Sequence, residues 1–232
     1  MSDKKNLIFV VGPTASGKTS LSIELALRLD AEIVSADSMQ IYKGISIASA
    51  APTDQEKRGV IHHLLEFLEL DSTFTVAEYS NLARNTIHEI FSRQKNCIVV
   101  GGTGLYINTL ADNIEFTKQD DNPEIRARLE NEMEQFGAEY MLEKLKSIDL
   151  EAGQRLHPNN KRRIIRALEV YELTGKTFTE QNILSRQNDS PYNPIMIGIT
   201  YRDREKLYER INKRVDIMLE NGILDEAKKY LE

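Results

Sequence analysis

From Asn6 the run LIFVV is continuously apolar, rich in β-branched and aromatic residues, and ends close to a glycine. That pattern predicts a strand buried on both faces of a parallel sheet. The segment KTSLSIELALRL then sets Leu21, Ile23, Leu25, Ala26 and Leu29 mostly at helical spacing. AEIVSAD reads as a second strand. TFTVAEYSNLARNTIHEIFSRQ reads as a long amphipathic helix with Thr75 and Glu78 in capping-box positions. NCIVVGG is a third buried strand. Alternating strands and helices predict an α/β fold, a parallel sheet with right-handed crossovers and flanking helices.

The pattern changes after about Ala111. From Asn122 to Gln187 the chain shows NPEIRARLENEMEQFG, AEYMLEKLKSI and NKRRIIRALEVYELTG, which are amphipathic and charged helical patterns without a buried-strand run. Asn122 before Pro123 suits an N-cap with proline at the first helical position, and Gly175 suits a helix stop. At NPIMIGITY the buried-strand pattern returns, followed by the helix DREKLYERINKRVDIMLENG. The expected organisation is a core over residues 1–114, an all-helical insertion over 115–190 and a return to the core over 191–232. GILDEAKKYLE runs to Glu232 as a helix with no stop signal, so a truncated C-terminus is expected.

Composition narrows the class. Of 232 residues 41% are hydrophobic and 28% charged, which excludes a disordered tail or a disulfide-stapled mini-protein. Cys97 is the only cysteine, so no intrachain disulfide can form and a reducing compartment is expected. The opening MSDKKNLIFVVG has an apolar run too short for a signal peptide or a membrane span. A cytoplasmic monomer is the expectation. His62, His63, His88 and His157 make no zinc-site pattern, and His62 and His63 are read as structural. The net charge of −6 means that any nucleic-acid partner must be held by a local patch. Lys161-Arg162-Arg163-Ile164-Ile165-Arg166 offers one: on a helix the arginines share neighbouring faces while Ile164, Ile165 and Leu168 turn toward a core.

Gly12-Pro13-Thr14-Ala15-Ser16-Gly17-Lys18-Thr19 fits G-x-x-x-x-G-K-[ST] at every fixed position, between a predicted strand and a predicted helix. Glycines let backbone N–H groups turn inward around phosphate oxygens, and the helix start presents its positive dipole end. Lys18 adds a charge, and Thr19 a hydroxyl for Mg2+. A P-loop kinase or NTPase fits, and so does a transferase whose leaving group is diphosphate; the loop leaves both open. Asp37 closes the second strand, where an acid faces the crevice in which such sheets bind ligands. The third strand ends in Gly101-Gly102-Thr103-Gly104-Leu105-Tyr106, a loop opening on the same crevice. Tyr42 and Tyr106 suit either the pocket or the core.

Taken in order, GPTASGKT, SADSMQIYKG, GGTGLY and HPNNKRRIIRALEVYELTGK resemble the tRNA dimethylallyltransferase (isopentenyltransferase) family. The resemblance implies a P-loop NTPase-like core with a helical insertion. It implies transfer of a dimethylallyl group from dimethylallyl diphosphate to N6 of the adenosine immediately 3′ of the anticodon. By the same likeness Asp37 is the base and Lys18, the loop N–H groups and Mg2+ on Thr19 stabilise the leaving diphosphate. Thr103 and Arg126 lie at the reaction centre; Asp37, Ser38, Met39 and Gln40 meet the extruded base; Arg162, Arg163, Ile164, Ile165 and Arg166 contact the tRNA anticodon stem-loop. The chain departs from the family in SIASAAP, where Ala51 stands in place of a usual lysine. A nucleoside or small-molecule kinase, an adenylate isopentenyltransferase acting on free nucleotide, and a non-catalytic RNA-binding module are the alternatives.

Overall fold

The computed structural model describes residues 4–116 and 122–230. It divides into two units, residues 1–113 with 190–232, and residues 114–189. The first unit begins with β1 (Lys5–Val11), α1 (Lys18–Leu29) and β2 (Ala31–Ser35). Then come the single-turn helices α2 (Ser46–Ser49) and α3 (Asp54–Lys57), β3 (His62–His63), α4 (Val76–Ser92), β4 (Asn96–Gly101) and α5 (Gly104–Ala111). The second unit holds α6 (Pro123–Phe136), α7 (Ala138–Ile148), α8 (Leu150–Arg155), α9 (Lys161–Thr174) and α10 (Phe178–Leu184). The chain re-enters the first unit with β5 (Tyr192–Gly198), α11 (Arg204–Glu220) and α12 (Ile223–Lys228).

The sheet order is β3-β2-β4-β1-β5, with every pairing parallel. Alternate side chains of the continuous apolar runs pack on opposite faces. Leu7 and Phe9 meet Tyr79, Ala83, Ile87 and Ile90 of α4, whereas Val10 meets Ile23 and Ala26 of α1. The fold is therefore the expected α/β sheet with helices on both faces. Thr75 and Glu78 form their capping box, Thr75 N–H donating to Glu78 Oε2 at 2.7 Å and Glu78 N–H to Thr75 Oγ1 at 3.2 Å.

One strand differs from its expectation. NPIMIGITY does form β5, but at the sheet edge, with Ile195 41% and Met196 51% exposed. Pro194, which lacks an N–H, is compatible with a strand that has only β1 as a neighbour among the described residues.

The second unit packs its own core from Leu129 and Met133 of α6, Met141, Leu142 and Leu145 of α7, and Ile164, Ile165, Ala167 and Leu168 of α9. Asn122 caps α6 by accepting from Glu124 N–H at 3.1 Å, with Pro123 at the first helical position. Gly175 ends α9 in the left-handed region at φ 68°. Buried Asp149 ties α8 to α10, accepting from Ala152 N–H at 3.0 Å and from Thr179 N–H and O–H at 2.8 Å each.

Candidate active site

The turn after β1 is built around close approach. A side chain at Gly12 would put its Cβ 2.7 Å from the Ile199 carbonyl oxygen, so only glycine fits. Ala15 (φ 60°) and Gly17 (φ 94°) take the left-handed region and curl the backbone into a concavity. α1 starts at Lys18 with no side-chain cap, which leaves its first N–H groups available to an anion. Lys18 Nζ donates to the Gly12 and Pro13 carbonyls at 2.9 and 2.7 Å. Burial lowers the pKa of its ammonium from 10.5; Asp37 opposes that shift and Arg214 reinforces it. Ser16 Oγ is buried in the same turn with no hydrogen-bond partner among the described residues.

Asp37 follows β2 and is held by a local turn, its Oδ1 accepting from Met39 N–H at 2.9 Å and Gln40 N–H at 3.4 Å. The loop after β4 is laced to it. Thr103 Oγ1 accepts from Ser38 N–H at 2.9 Å and lies 3.3 Å from Ser38 Oγ, while Thr103 N–H donates to the Ala36 carbonyl at 3.2 Å. Gly101 permits this, because a Cβ there would stand 2.1 Å from the Ala36 oxygen. Residues Thr14 to Thr19, Asp37, Gln40 and Gly102 open onto one cleft of about 690 Å3. Met39 is exposed beside Asp37, whereas the Gln40 carboxamide turns inward, donating to the Ser49 and Ala50 carbonyls at 3.3 and 3.1 Å.

The cleft also contains cations that the sequence did not single out. Arg210, Lys213 and Arg214 of α11 line it. Arg210 Nε donates to the Ala15 carbonyl at 2.8 Å and its guanidinium lies 5.8 Å from the Tyr201 ring centroid. Tyr201 in turn donates to the Ser16 carbonyl at 3.4 Å. Their spacing of three and four places them on one helix face, which was the available signal; it looks the same as an ordinary solvated stripe.

Other sequence candidates fall elsewhere. On the second unit, Arg126 Nε pairs with Glu130 at 3.2 Å, and its Nη1 lies 3.8 Å from Glu169. Arg166 pairs with the same Glu169 at 2.7 Å, an acid only 4% exposed. Arg162 and Arg163 are exposed on α9. The assignment of Ile164 and Ile165 to RNA contact needs correction: their side chains are 0% and 5% exposed, because α9 uses that face for the unit's core. In the first unit, burial lowers the pKa of His62, whose Nδ1 lies 2.9 Å from the Val60 carbonyl. His63 and Arg93 both bond Glu32, at 2.6 and 2.7 Å. Tyr106 stacks on Tyr79 at 3.7 Å within the core.

Comparison with known proteins places this arrangement. The family model described as IPP transferase matches residues 40–232. The tRNA dimethylallyltransferase of Acetivibrio thermocellus is 50% identical over 227 residues, 98% of this chain and 72% of that protein. Its counterpart in Bacillus subtilis is 46% identical over 229 residues, 99% of this chain and 72% of that one. Among solved structures, the full-length tRNA isopentenylpyrophosphate transferase of Bacillus halodurans matches with TM-score 0.66 and 43% identity, over 98% of this chain and 70% of that chain. A eukaryotic dimethylallyltransferase acting on tRNA matches with TM-score 0.79 and 31% identity, over 98% and 56%. No helix among the described residues is long and apolar enough to cross a membrane. With a glycine-rich turn and an acid on one cleft, and with these matches covering nearly all of this chain, the chain belongs to the IPP transferase family.

Proposed function

We propose that the protein transfers a dimethylallyl group from dimethylallyl diphosphate to N6 of the adenosine 3′-adjacent to the anticodon of tRNA, giving N6-isopentenyladenosine. The observation that carries this reading is the single cleft shared by an uncapped helix start and Asp37. The allylic C–O bond breaks and its electron pair leaves with the diphosphate. The N6 lone pair forms the new C–N bond, and the N6 proton passes to Asp37. Adenine N6 is a weak nucleophile, so a positioned carboxylate that removes its proton helps. Charge growing on the diphosphate meets preorganised donors: the turn's N–H groups, Lys18, and Arg210 and Arg214 of α11. Buried Ser16 Oγ, without a hydrogen-bond partner among the described residues, adds a further donor.

Mg2+ suits this site through hard oxygen donors. Among the described residues no group of three or more His, Cys, Asp or Glu could hold a metal, and Mg2+ commonly binds through one or two protein oxygens plus substrate phosphates. The Thr19 hydroxyl would hold it, and when bound it neutralises diphosphate charge. Thr103 steadies the Asp37 turn through Ser38. On the helical unit, Arg126 serves the substrate, and exposed Arg162 and Arg163 with Arg166 bind the anticodon stem-loop through its phosphates. The target base leaves its stack to reach Asp37, beside exposed Met39. The protein acts as a monomer in the cytosol.

The test is incubation with tRNA and labelled dimethylallyl diphosphate. Label in the RNA at the anticodon-adjacent adenosine is expected. Label in free AMP, ADP or ATP instead, or ATP-dependent phosphorylation of a small acceptor with unlabelled RNA, would overturn the reading.

A further inference from the structure

α2 is a single turn whose N-cap residue, Ile45, has no side-chain oxygen, so its first N–H groups need acceptors from elsewhere. Glu226 of α12 supplies both. Its Oε2 accepts from Ile47 N–H at 2.9 Å and its Oε1 from Ala48 N–H at 2.8 Å, although Glu226 is only 7% exposed. Removing a carboxylate from water is unfavourable, and two charge-assisted bonds at a helix start offset that. The same C-terminal segment touches the chain just upstream: a Cβ on Gly44 would stand 1.8 Å from Tyr230 Oη. Residues 44–48 are therefore gripped from two points.

The far end of α2 carries this constraint into the cleft. The Ser49 and Ala50 carbonyls accept from Gln40 Nε2, and the backbone N–H groups of Met39 and Gln40 hold Asp37 Oδ1. Gln40, Ser49 and Ala50 line the cleft together with Asp37. The phosphate turn is steadied separately, by Arg210 on Ala15 and Tyr201 on Ser16.

We propose that Glu226 is a positioning residue for Asp37: by capping α2 it fixes one wall of the cleft and, through Gln40, the carboxylate that takes the N6 proton. The inference rests on the transferase reading above. Glu226→Gln places an amide NH2 against one of the two backbone donors. In the labelled-transfer assay its kcat falls about tenfold, the scale of a slightly misplaced catalytic group, while the KM for dimethylallyl diphosphate holds. Gln40→Ala added to E226Q lowers kcat little further, because both act on one chain of contacts. Independently of turnover, amide hydrogen exchange shows Ile47 and Ala48 N–H protected in the unmodified protein and released in E226Q. Should E226Q not fold by circular dichroism, Glu226→Asp, which keeps the charge but shortens the reach, is read the same way. Unprotected Ile47 and Ala48 in the unmodified protein, a donor KM that rises with kcat unchanged, or strictly additive losses with Q40A would each overturn the proposal. If the unmodified protein transfers nothing, the transferase reading fails and this role with it; if it transfers and E226Q matches it, only this role fails.

Discussion

Lys18 is subject to opposing influences: burial disfavours its ammonium, Arg214 adds repulsion, and Asp37 attracts it. The net direction is downward from 10.5, so Lys18 in the free protein loses its charge at a lower pH than a solvated lysine. The expected consequence is an alkaline limb in kcat/KM for dimethylallyl diphosphate that begins below that value and moves upward in Lys18→Arg; a profile flat to pH 10.5 in both proteins would count against it. Asp37→Ala should lower transfer by roughly 10²–10⁴-fold with little change in tRNA affinity, read by single-turnover kinetics and filter binding. Both residues were legible because a fixed motif spacing and the end of a buried strand pick them out. Arg210 and Arg214 were not, because three cations on a helix face look the same over solvent as over a phosphate site. Gln40 shows the same limit: the sequence places it beside Asp37 but does not show its amide turned inward onto Ser49 and Ala50.

Among elements, the α8–α10 junction concentrates stability in one side chain. Burial opposes ionisation of Asp149, but hydrogen bonds from Ala152 and Thr179 outweigh it and hold the carboxyl below the usual range. A carboxyl lowered on folding contributes stability above its unfolded value, about 4, and loses it as pH falls through the folded one. The helical unit should therefore become less stable on acidification below about pH 4, and Asp149→Ala should cost about 1–3 kcal/mol at pH 7, measured by urea unfolding with Thr179→Val as the partner variant. The helices of this unit were readable because Asn122-Pro123 and Gly175 mark boundaries whatever the packing. The depth of β5 was not. Periodicity reports that a run is apolar, while Pro194 alone hinted that one side of the strand would have no neighbour. The sheet order that leaves Ile195 and Met196 exposed arises from pairings about 190 residues apart in the chain.

For the whole molecule, the charge balance of −6 conceals basic surface on separate elements, α11 at the cleft and the start of α9. tRNA affinity should fall steeply with salt despite the acidic total, and Arg162→Ala or Arg163→Ala should each flatten the log–log slope by about 1 without changing donor KM. An unchanged slope would remove those arginines from the RNA surface. Fold class was legible here because alternating buried runs and amphipathic helices allow few architectures. Which distant segments complete the cleft was not. The contact between Gly12 and Ile199 bears on how the protein is made. The Gly12–Thr19 turn is synthesised before its supports: the strand beside it and the arginine that braces Ala15 follow nearly two hundred residues later. At ordinary elongation rates that interval is roughly 10–40 s. Throughout it the nascent chain carries the motif without the neighbours that hold it, so the turn takes its braced form only after β5 and α11 have been made.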